Sequence, residues 1–306
     1  MPGFAQKLMD PVIDFVVQQA DELGESPVWD ARSGVLFWAD ALAPRVCAFN
    51  PTSGETRDWA MPAPIGSLAL GGPGALLVAL ADGFHRLDLH DGDLRPLWTT
   101  ALPRDNRFND GKADRDGGFV CGTMQVEDDA PPGFLFRLRS DGTTDRIADG
   151  FGVTNAVCFS PDGRTLYAAC SRVGVLWAWD YHPNAPLGPR RVVADVKALT
   201  GSAPDGATVD AAGGIWIALV RTGQLGRFTP DGTLDRVIDL PVEYPTCPAF
   251  GGESMDTLFV TSISRSRRLR AKDANAGRLL AITGLGVTGL VEATVHAATP
   301  PNKDPR

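Results

Sequence analysis

The 306-residue chain lacks any hydrophobic run long enough to cross a membrane, since a spanning helix needs about 18 or more apolar residues. The opening MPGFAQKLMDPVIDFVVQQ also lacks the basic segment followed by an apolar segment that marks a secretory signal. We therefore expect no membrane partner and a cytoplasmic location.

Basic residues and cysteines are scarce as well. Lys and Arg number 29 against 37 Asp and Glu, and the net charge of −8 argues against nucleic acid as a partner, because a polyanion requires a basic face. A small molecule is the favoured partner. The cysteines are odd in number and form no CxxC pair typical of zinc or redox sites, which fits a reducing compartment. They are Cys47, Cys121, Cys158, Cys170 and Cys247.

Periodic apolar segments of helical length are also missing, which predicts an all-β class. A short strand that follows a turn recurs six times instead, as GVLFWAD (34–40), GALLVAL (74–80), GGFVCGT (117–123), RTLYAAC (164–170), GGIWIAL (213–219) and DTLFVTS (256–262). The neighbouring strand patterns complete units of four antiparallel strands. Six such units predict a six-bladed β-propeller, which hides its sheet edges. We expect one such domain over 1–306, with the strand near 12–18 pairing with the last blade to close the ring.

Polar residues recur at one position of the innermost strands. GESPVWD, NDGKAD, NAVCFS, DGATVD and the looser TCPAFG align on the residue that ends each strand. Because blades are related by rotation about a central axis, the residues five positions earlier should face one another at the mouth of the channel. These residues are Glu25, Asn109, Asn155, Asp205 and Thr246, with Gly66 or Ser67 in the second blade.

This set of side chains suits a metal ion. Glu25 and Asp205 would repel each other as neighbouring carboxylates, and a divalent cation would let both remain ionised. Oxygen donors without His or Cys favour calcium, magnesium or manganese over structural zinc, although zinc with added waters stays open. The alternative, that these residues only satisfy backbone groups at strand ends, is weaker for four residues in register than for one.

Longer motifs extend the pattern. They are GESPVWD, RFNDGKAD (107–114) with GTM (122–124), TNAVCFSPDGRTLY, PDGATVDAAGGIWIA and ITGLGVTGL (282–290). Together they resemble the senescence-marker protein/regucalcin/gluconolactonase family over nearly the whole chain. The resemblance implies a six-bladed propeller that binds one divalent metal ion and hydrolyses sugar lactones to aldonic acids.

The same resemblance implies roles for single residues. Glu25, Asn155 and Asp205 match the metal-binding positions, and Asn109 matches a position that contacts substrate or a metal-bound water. Arg107 matches a substrate-binding arginine, and Glu127 falls where some members place a substrate-contacting carboxylate. Our topology puts Arg107 in an inter-blade loop and Glu127 in a loop between second and third strands, both on the side of the cluster. An ordinary surface ion pair is the alternative for each of the two.

One position departs from the family pattern. Ala169-Cys170-Ser171 stands where the family usually has an acid, reading like "ADS". If that acid tunes the site, Cys170 changes metal preference, substrate or rate. The plainer alternative is a small apolar side chain buried in the core.

These observations predict a metal-dependent lactonase of carbohydrate metabolism. The metal would polarise the lactone carbonyl, Asp205 would be the general base, and Arg107 would help to stabilise the oxyanion. A calcium-dependent ester or organophosphate hydrolase and a non-catalytic metal-binding propeller stay open as alternatives. The Arg-rich stretch 264–277 should lie near the mouth, where it either guides an anionic substrate or forms a solvated loop.

Overall fold

The computed structural model describes residues 10–130 and 132–296, which form 24 strands and one short helix. The first strand is β1 (Val12–Phe15). The first three sheets contain β2 (Gly24–Asp30), β3 (Val35–Asp40), β4 (Arg45–Phe49), β5 (Thr56–Ala60), β6 (Ser67–Leu70), β7 (Ala75–Leu80), β8 (Gly83–Asp88), β9 (Leu94–Thr99), β10 (Asn106–Ala113), β11 (Phe119–Gln125), β12 (Gly133–Leu138) and β13 (Thr144–Phe151).

The remaining sheets follow the same plan. They contain β14 (Thr154–Phe159), β15 (Thr165–Cys170), β16 (Val175–Asp180), β17 (Arg191–Asp195), β18 (Pro204–Val209), β19 (Ile215–Leu219), β20 (Gln224–Phe228), β21 (Leu234–Asp239), β22 (Pro245–Gly251), β23 (Thr257–Ser262) and β24 (Leu280–Thr283). The helix α1 (Val196–Thr200) lies between β17 and β18. Within the described ranges, no helix has the length and apolar character needed to span a bilayer.

Six antiparallel sheets of four strands surround a central channel, so the predicted all-β propeller is confirmed. Each innermost strand contacts the innermost strand of the next sheet, and β22 returns to contact β2. In the sixth sheet β1 supplies the outer strand, where Val12 pairs with Thr283 and Phe15 pairs with Leu280. The first and last strands of the described residues therefore belong to one blade.

Burial follows the position of a strand within its blade. All six residues of β7 and all five of β19 are buried, because each of these strands has a neighbouring sheet on both faces. The outermost strand β5 buries only Trp59. Continuous apolar runs such as ALLVAL and IWIAL therefore mark inner strands, and alternating runs mark outer ones.

The recurring aspartate at the end of the innermost strand has a structural function. Asp210 accepts hydrogen bonds from the backbone N–H groups of Ala212 (3.0 Å) and Gly214 (2.8 Å), which closes the turn into β19. Asp114 accepts the equivalent bonds from Asp116 and Gly118. The residue used to align the repeats is thus a turn residue, and the face that carries these turns is here called the lower face.

The end of the described chain closes the channel at the lower face. Thr288 accepts a hydrogen bond from the Ala211 N–H group in the fifth blade, and the Val295 N–H group donates to Leu70 in the second. The His296 N–H group donates to Gly117 in the third blade. Residues 284–296 therefore cross beneath the channel, and the innermost strands begin at the opposite, upper face.

Candidate functional site

A β-bulge occurs in five of the six innermost strands at the aligned polar position. The pairing register shifts after Glu25, Phe108, Asn155, Pro204 and Pro245, whereas the pairing of β6 with β7 is regular. Ser26 and Ala156, which follow two of these positions, have φ angles of +50° and +53°. A bulge leaves its extra residue outside the ladder and redirects its side chain. The repeat thus presents polar side chains to the channel near the upper face.

Glu25 and Asp205 are brought together by this arrangement. Asp205 is 8% exposed, and burial, followed by the charge of Asp110, raises its pKa to about 8. Burial also raises the pKa of Glu25 well above its usual range, and the charge of Asp205 adds to the effect. These carboxylates, from the first and fifth blades on either side of the sixth, therefore resist ionisation unless a positive charge joins them.

Glycine at position 206 permits the close contact between the innermost strands β18 and β22. A Cβ atom at Gly206 would lie 2.4 Å from the Sγ atom of Cys247 in the sixth blade, which is too close for any side chain. Cys247 itself is buried. In PDGATV, Asp205 thus supplies the carboxylate, and Gly206 lets β18 lie close to β22.

Asn109 and Asn155 form a hydrogen-bonded chain with Ser171. The Nδ2 atom of Asn109 donates to Thr154 O at 2.9 Å and to Asn155 Oδ1 at 3.1 Å. Asn155 Nδ2 donates to Ser171 Oγ at 2.8 Å, and Ser171 Oγ donates to Pro204 O at 2.7 Å. The Asn155 Oδ1 atom, which accepts the bond from Asn109, keeps a second lone pair for a further partner, and Asn109 makes both of its bonds through its nitrogen.

Arg107 lies beside the two carboxylates, but in a different element from the one we predicted. It belongs to β10, where it pairs with Met124, and not to an inter-blade loop, because the strand begins ahead of the bulge. Its Nη1 atom donates to Phe108 O at 2.8 Å. Burial lowers the pKa of the Arg107 guanidinium, whereas the charges of Glu25 and Asp205 raise it.

Glu127 follows β11 in a loop between second and third strands, and it is held by an arginine from the opposite side of the ring. Arg267 binds both carboxylate oxygens of Glu127 and donates to Val126 O at 3.0 Å. Arg268 similarly donates to Asp128 at 2.5 Å. Glu127 therefore forms an ion pair with the Arg-rich stretch.

We call residues 264–277, between β23 and β24, the strap. The N–H groups of Ser264 and Arg265 donate to Glu22 O, and Leu269 packs against a cluster that includes Leu23 and Val220. The tip then reaches the third blade through Arg267 and Arg268. The strap thus joins the sixth blade to the third at the upper face.

Sequence reasoning missed Asp110, which follows Asn109 in the same bulge. Asp110 is 6% exposed, and its Oδ2 atom accepts a hydrogen bond from the Val157 N–H group at 2.7 Å. Burial raises its pKa to about 6, against the opposing hydrogen bond from Val157. The alignment selected one residue per blade. It therefore took Asn109 from the third blade and passed over the acid Asp110 that directly follows it.

A buried ion pair lies close to Asp110. The Lys112 Nζ atom is 3.2 Å from Glu292 Oε1, which comes from the segment that closes the lower face. Burial alone would lower the pKa of Lys112, but the charges of Glu292, Cys247 and Asp110 leave it raised. Lys112 of the RFNDGKAD motif therefore links residues 284–296 to the innermost strand β10 through an ion pair.

Cys170 packs in the core and is fully buried, with Leu166 and Trp179 in the same cluster. It pairs with Thr154 across the strands, whereas the next residue, Ser171, reaches Asn155. The contact between this segment and the site is thus made by the serine of Ala169-Cys170-Ser171.

The donor chemistry of the site fits a hard divalent cation. Glu25 and Asp205 supply carboxylates, and Asn155 supplies an amide oxygen whose orientation Ser171 determines. Across residues 10–130 and 132–296, no three His, Cys, Asp or Glu side chains converge in a metal-binding group. An ion at this site would therefore depend on amide oxygens in addition to the two acids.

Comparison with known proteins identifies the family of the chain. Residues 23–264 match the family model described as the SMP-30/Gluconolactonase/LRE-like region. The chain is 35% identical over 261 residues to a 6-deoxy-6-sulfogluconolactonase of Pseudomonas putida, which covers 85% of this chain and 89% of the relative. It is 32% identical over 262 residues to an L-arabinolactonase of Azospirillum brasilense, covering 83% and 86%.

A solved structure of a similar protein has the same fold. The calcium-binding protein regucalcin from Agrobacterium tumefaciens strain C58 superposes with a TM-score of 0.84 at 27% identity, covering 92% of this chain and 96% of that one. The family model spans most of the chain, and the relatives are matched over most of their own length. The chain is a member of the SMP-30/gluconolactonase/LRE-like family.

Proposed function

We propose that this protein is a metal-dependent lactonase that opens a sugar-derived lactone to the aldonic acid. The observation that carries the proposal is the meeting of Glu25 and Asp205 beside Arg107, with Asn109 and Asn155 hydrogen-bonded to each other at the equivalent positions of the third and fourth blades. The lactonase names of two relatives support the reaction class.

Glu25, Asn155 and Asp205 would hold one divalent ion. Calcium, magnesium and manganese suit these oxygen donors, and zinc remains an ion to test. Such an ion, when bound, supplies Lewis acidity toward the lactone carbonyl. The raised pKa values of both carboxylates explain why a cation is needed, since Asp205, with a pKa of about 8, is largely protonated at neutral pH without one.

The chain's own residues divide the remaining tasks. Asp205 accepts the proton of the water that attacks the lactone carbonyl, and Arg107 donates hydrogen bonds to the oxygen that becomes negative. Asn109, whose amide nitrogen is already engaged, offers its oxygen to a substrate hydroxyl. Glu127 contacts the substrate after Arg267 releases it.

The test measures the rate of acid release from glucono-1,5-lactone and from an arabinonolactone, after subtraction of the spontaneous rate. The rate is measured for the protein as purified, after a chelator has removed the metal, and after each metal has been added back. We expect activity to disappear with chelation and to return with metal. Asp205→Asn should reduce kcat by at least about 100-fold and leave the circular dichroism spectrum unchanged. Asp256→Asn, which changes an exposed acid at the lower face, is the matched control.

Three kinds of outcome would contradict the proposal. Full activity of the chelated protein or of Asp205→Asn would remove the assigned chemistry. Hydrolysis of a phosphotriester without hydrolysis of any lactone would favour an ester or organophosphate hydrolase. Metal binding without either reaction would leave a non-catalytic metal-binding propeller.

A further inference from the structure

The innermost strand of each blade has a partner strand on one side only, because it lies at the end of its sheet. Buried carbonyl groups on the free side of such a strand must find hydrogen-bond donors elsewhere. Gly24, Thr154 and Pro204 are buried in innermost strands, and each directly precedes one of the three proposed metal ligands. The side chains that bind these carbonyl groups therefore act on the backbone that carries the ligands.

Each of the three carbonyl groups accepts a hydrogen bond from a side chain of the preceding blade. The donors and acceptors are Thr246 Oγ1 with Gly24 O (2.6 Å), Asn109 Nδ2 with Thr154 O (2.9 Å) and Ser171 Oγ with Pro204 O (2.7 Å). The donors lie in the sixth, third and fourth blades, and the acceptors lie in the first, fourth and fifth. The three contacts thus run in one direction around the ring, and each reaches the peptide group in front of a ligand.

Ser171 also acts on the side chain of Asn155. A hydroxyl group has one proton, and Pro204 O can only accept it, so Ser171 Oγ must accept from the Asn155 Nδ2 atom 2.8 Å away. The amide nitrogen of Asn155 therefore faces Ser171, and its Oδ1 atom faces Asn109. Without this hydroxyl the amide is free to turn over and to present its nitrogen, which a hard cation does not accept as a ligand.

We propose that Ser171 and Thr246 are positioning residues for the metal ligands, because each fixes the peptide group that precedes a carboxylate of the next blade. The inference rests on the proposed function for the identity of the ligands. Satisfying a buried carbonyl group does not by itself require the preceding blade, since Phe108 O in the third blade is held by Arg107 of its own strand. A fixed peptide plane limits the directions of the side chain that follows it, and this brings the acids together at defined positions.

Titration calorimetry tests the inference on the whole chain after a chelator has removed bound metal. It gives the dissociation constant of each ion that the wild type binds among calcium, magnesium, manganese and zinc. We expect Ser171→Ala and Thr246→Val to weaken binding by at least about tenfold, because loss of a residue that orients a ligand typically costs about 10- to 100-fold in affinity. Thr246→Ser keeps the hydroxyl group and should restore most of the affinity. Ser171 is only half-buried, so its alanine variant should retain the wild-type circular dichroism spectrum.

Two variants are matched controls. Ser160 lies at the opposite end of the β14–β15 hairpin from Ser171, and its hydroxyl also makes two hydrogen bonds, to Asp162 Oδ1 at 2.6 Å and from the Thr165 N–H group at 2.9 Å. Thr208 is a buried threonine of β18 near the lower face. Ser160→Ala and Thr208→Val remove the same groups away from the ligands and should leave metal affinity unchanged, even where urea unfolding shows a loss of stability.

Metal affinity separates positioning from a purely structural role, because a loss of stability does not change how tightly the folded protein binds the ion. Wild-type dissociation constants in both Ser171→Ala and Thr246→Val would overturn the inference, whatever their stability. An equal loss of affinity in Ser160→Ala would also overturn it. A wild type that binds metal but opens no lactone would remove the proposed reaction and leave the positioning role standing, whereas a wild type that binds no metal would remove both.

Discussion

Asp110 provides the sharpest test of how the bulge positions the site. Its Oδ2 atom accepts the Val157 N–H group at 2.7 Å, two residues after Asn155 and across the boundary between two blades. Asp110→Ala leaves this buried N–H group without an acceptor, at a cost of about 1–3 kcal/mol in the free energy of unfolding. Asp110→Asn keeps an acceptor oxygen at the same place and removes only the charge.

We therefore expect urea unfolding to show a loss of about 1–3 kcal/mol for Asp110→Ala and a much smaller change for Asp110→Asn. Lactone turnover should fall in the alanine variant because Asn155 loses its support. Asp256→Ala, at an exposed turn position, should stay within about 0.5 kcal/mol of the wild type. If Asp110→Ala were as stable and as active as Asp110→Asn, the reasoning about the bulge would be refuted.

The other predictions concern groups outside the channel. Burial raises the pKa of Asp21 to about 7, so the unfolding free energy that it contributes should decline as pH rises from about 4 toward 7, and Asp21→Asn should reduce this decline in pH-dependent urea unfolding. Arg137 is fully buried and donates to His182 O at 2.9 Å and to Ala185 O at 3.0 Å. Arg137→Met leaves both carbonyl groups without this donor and should lower the free energy of urea unfolding by about 1–3 kcal/mol, whereas unchanged stability would contradict its structural role. The exposed pair of Arg267 and Glu127 should show only a weak coupling in a double-mutant cycle of unfolding, because water and salt screen exposed charges. A strong coupling would contradict the release of Glu127 by the strap.

Much of the fold could be predicted because each blade repeats a local pattern. GVLFWAD and its five counterparts lie in or beside the second strand of each sheet, and the four-strand count holds in every blade. Rotational symmetry then linked Glu25 to Asp205 without any knowledge of distances. Both inferences depend on periodicity, which a single sequence displays directly.

The remaining features depend on contacts that periodicity does not encode. The bulge that displaces Asp110 from the ladder appears only when two strands are paired. The contact of Arg267 with Glu127 joins residues 140 positions apart. Arg107 was placed in a loop because the local pattern gives no sign that β10 starts before the bulge. Strand boundaries and long-range side-chain contacts are the points at which sequence patterns carry least information.

The pairing of β1 with β24 has a consequence for how the protein is made. Val12 is synthesised 271 residues before its partner Thr283, so the outer edge of the sixth sheet waits for all of the intervening chain. Pairing of segments so distant in the chain is slow, because the closure entropy of the intervening chain must be overcome. The junction held by four residue pairs is therefore expected to form last during biosynthesis, and a nascent chain would expose an unsatisfied strand edge until it does.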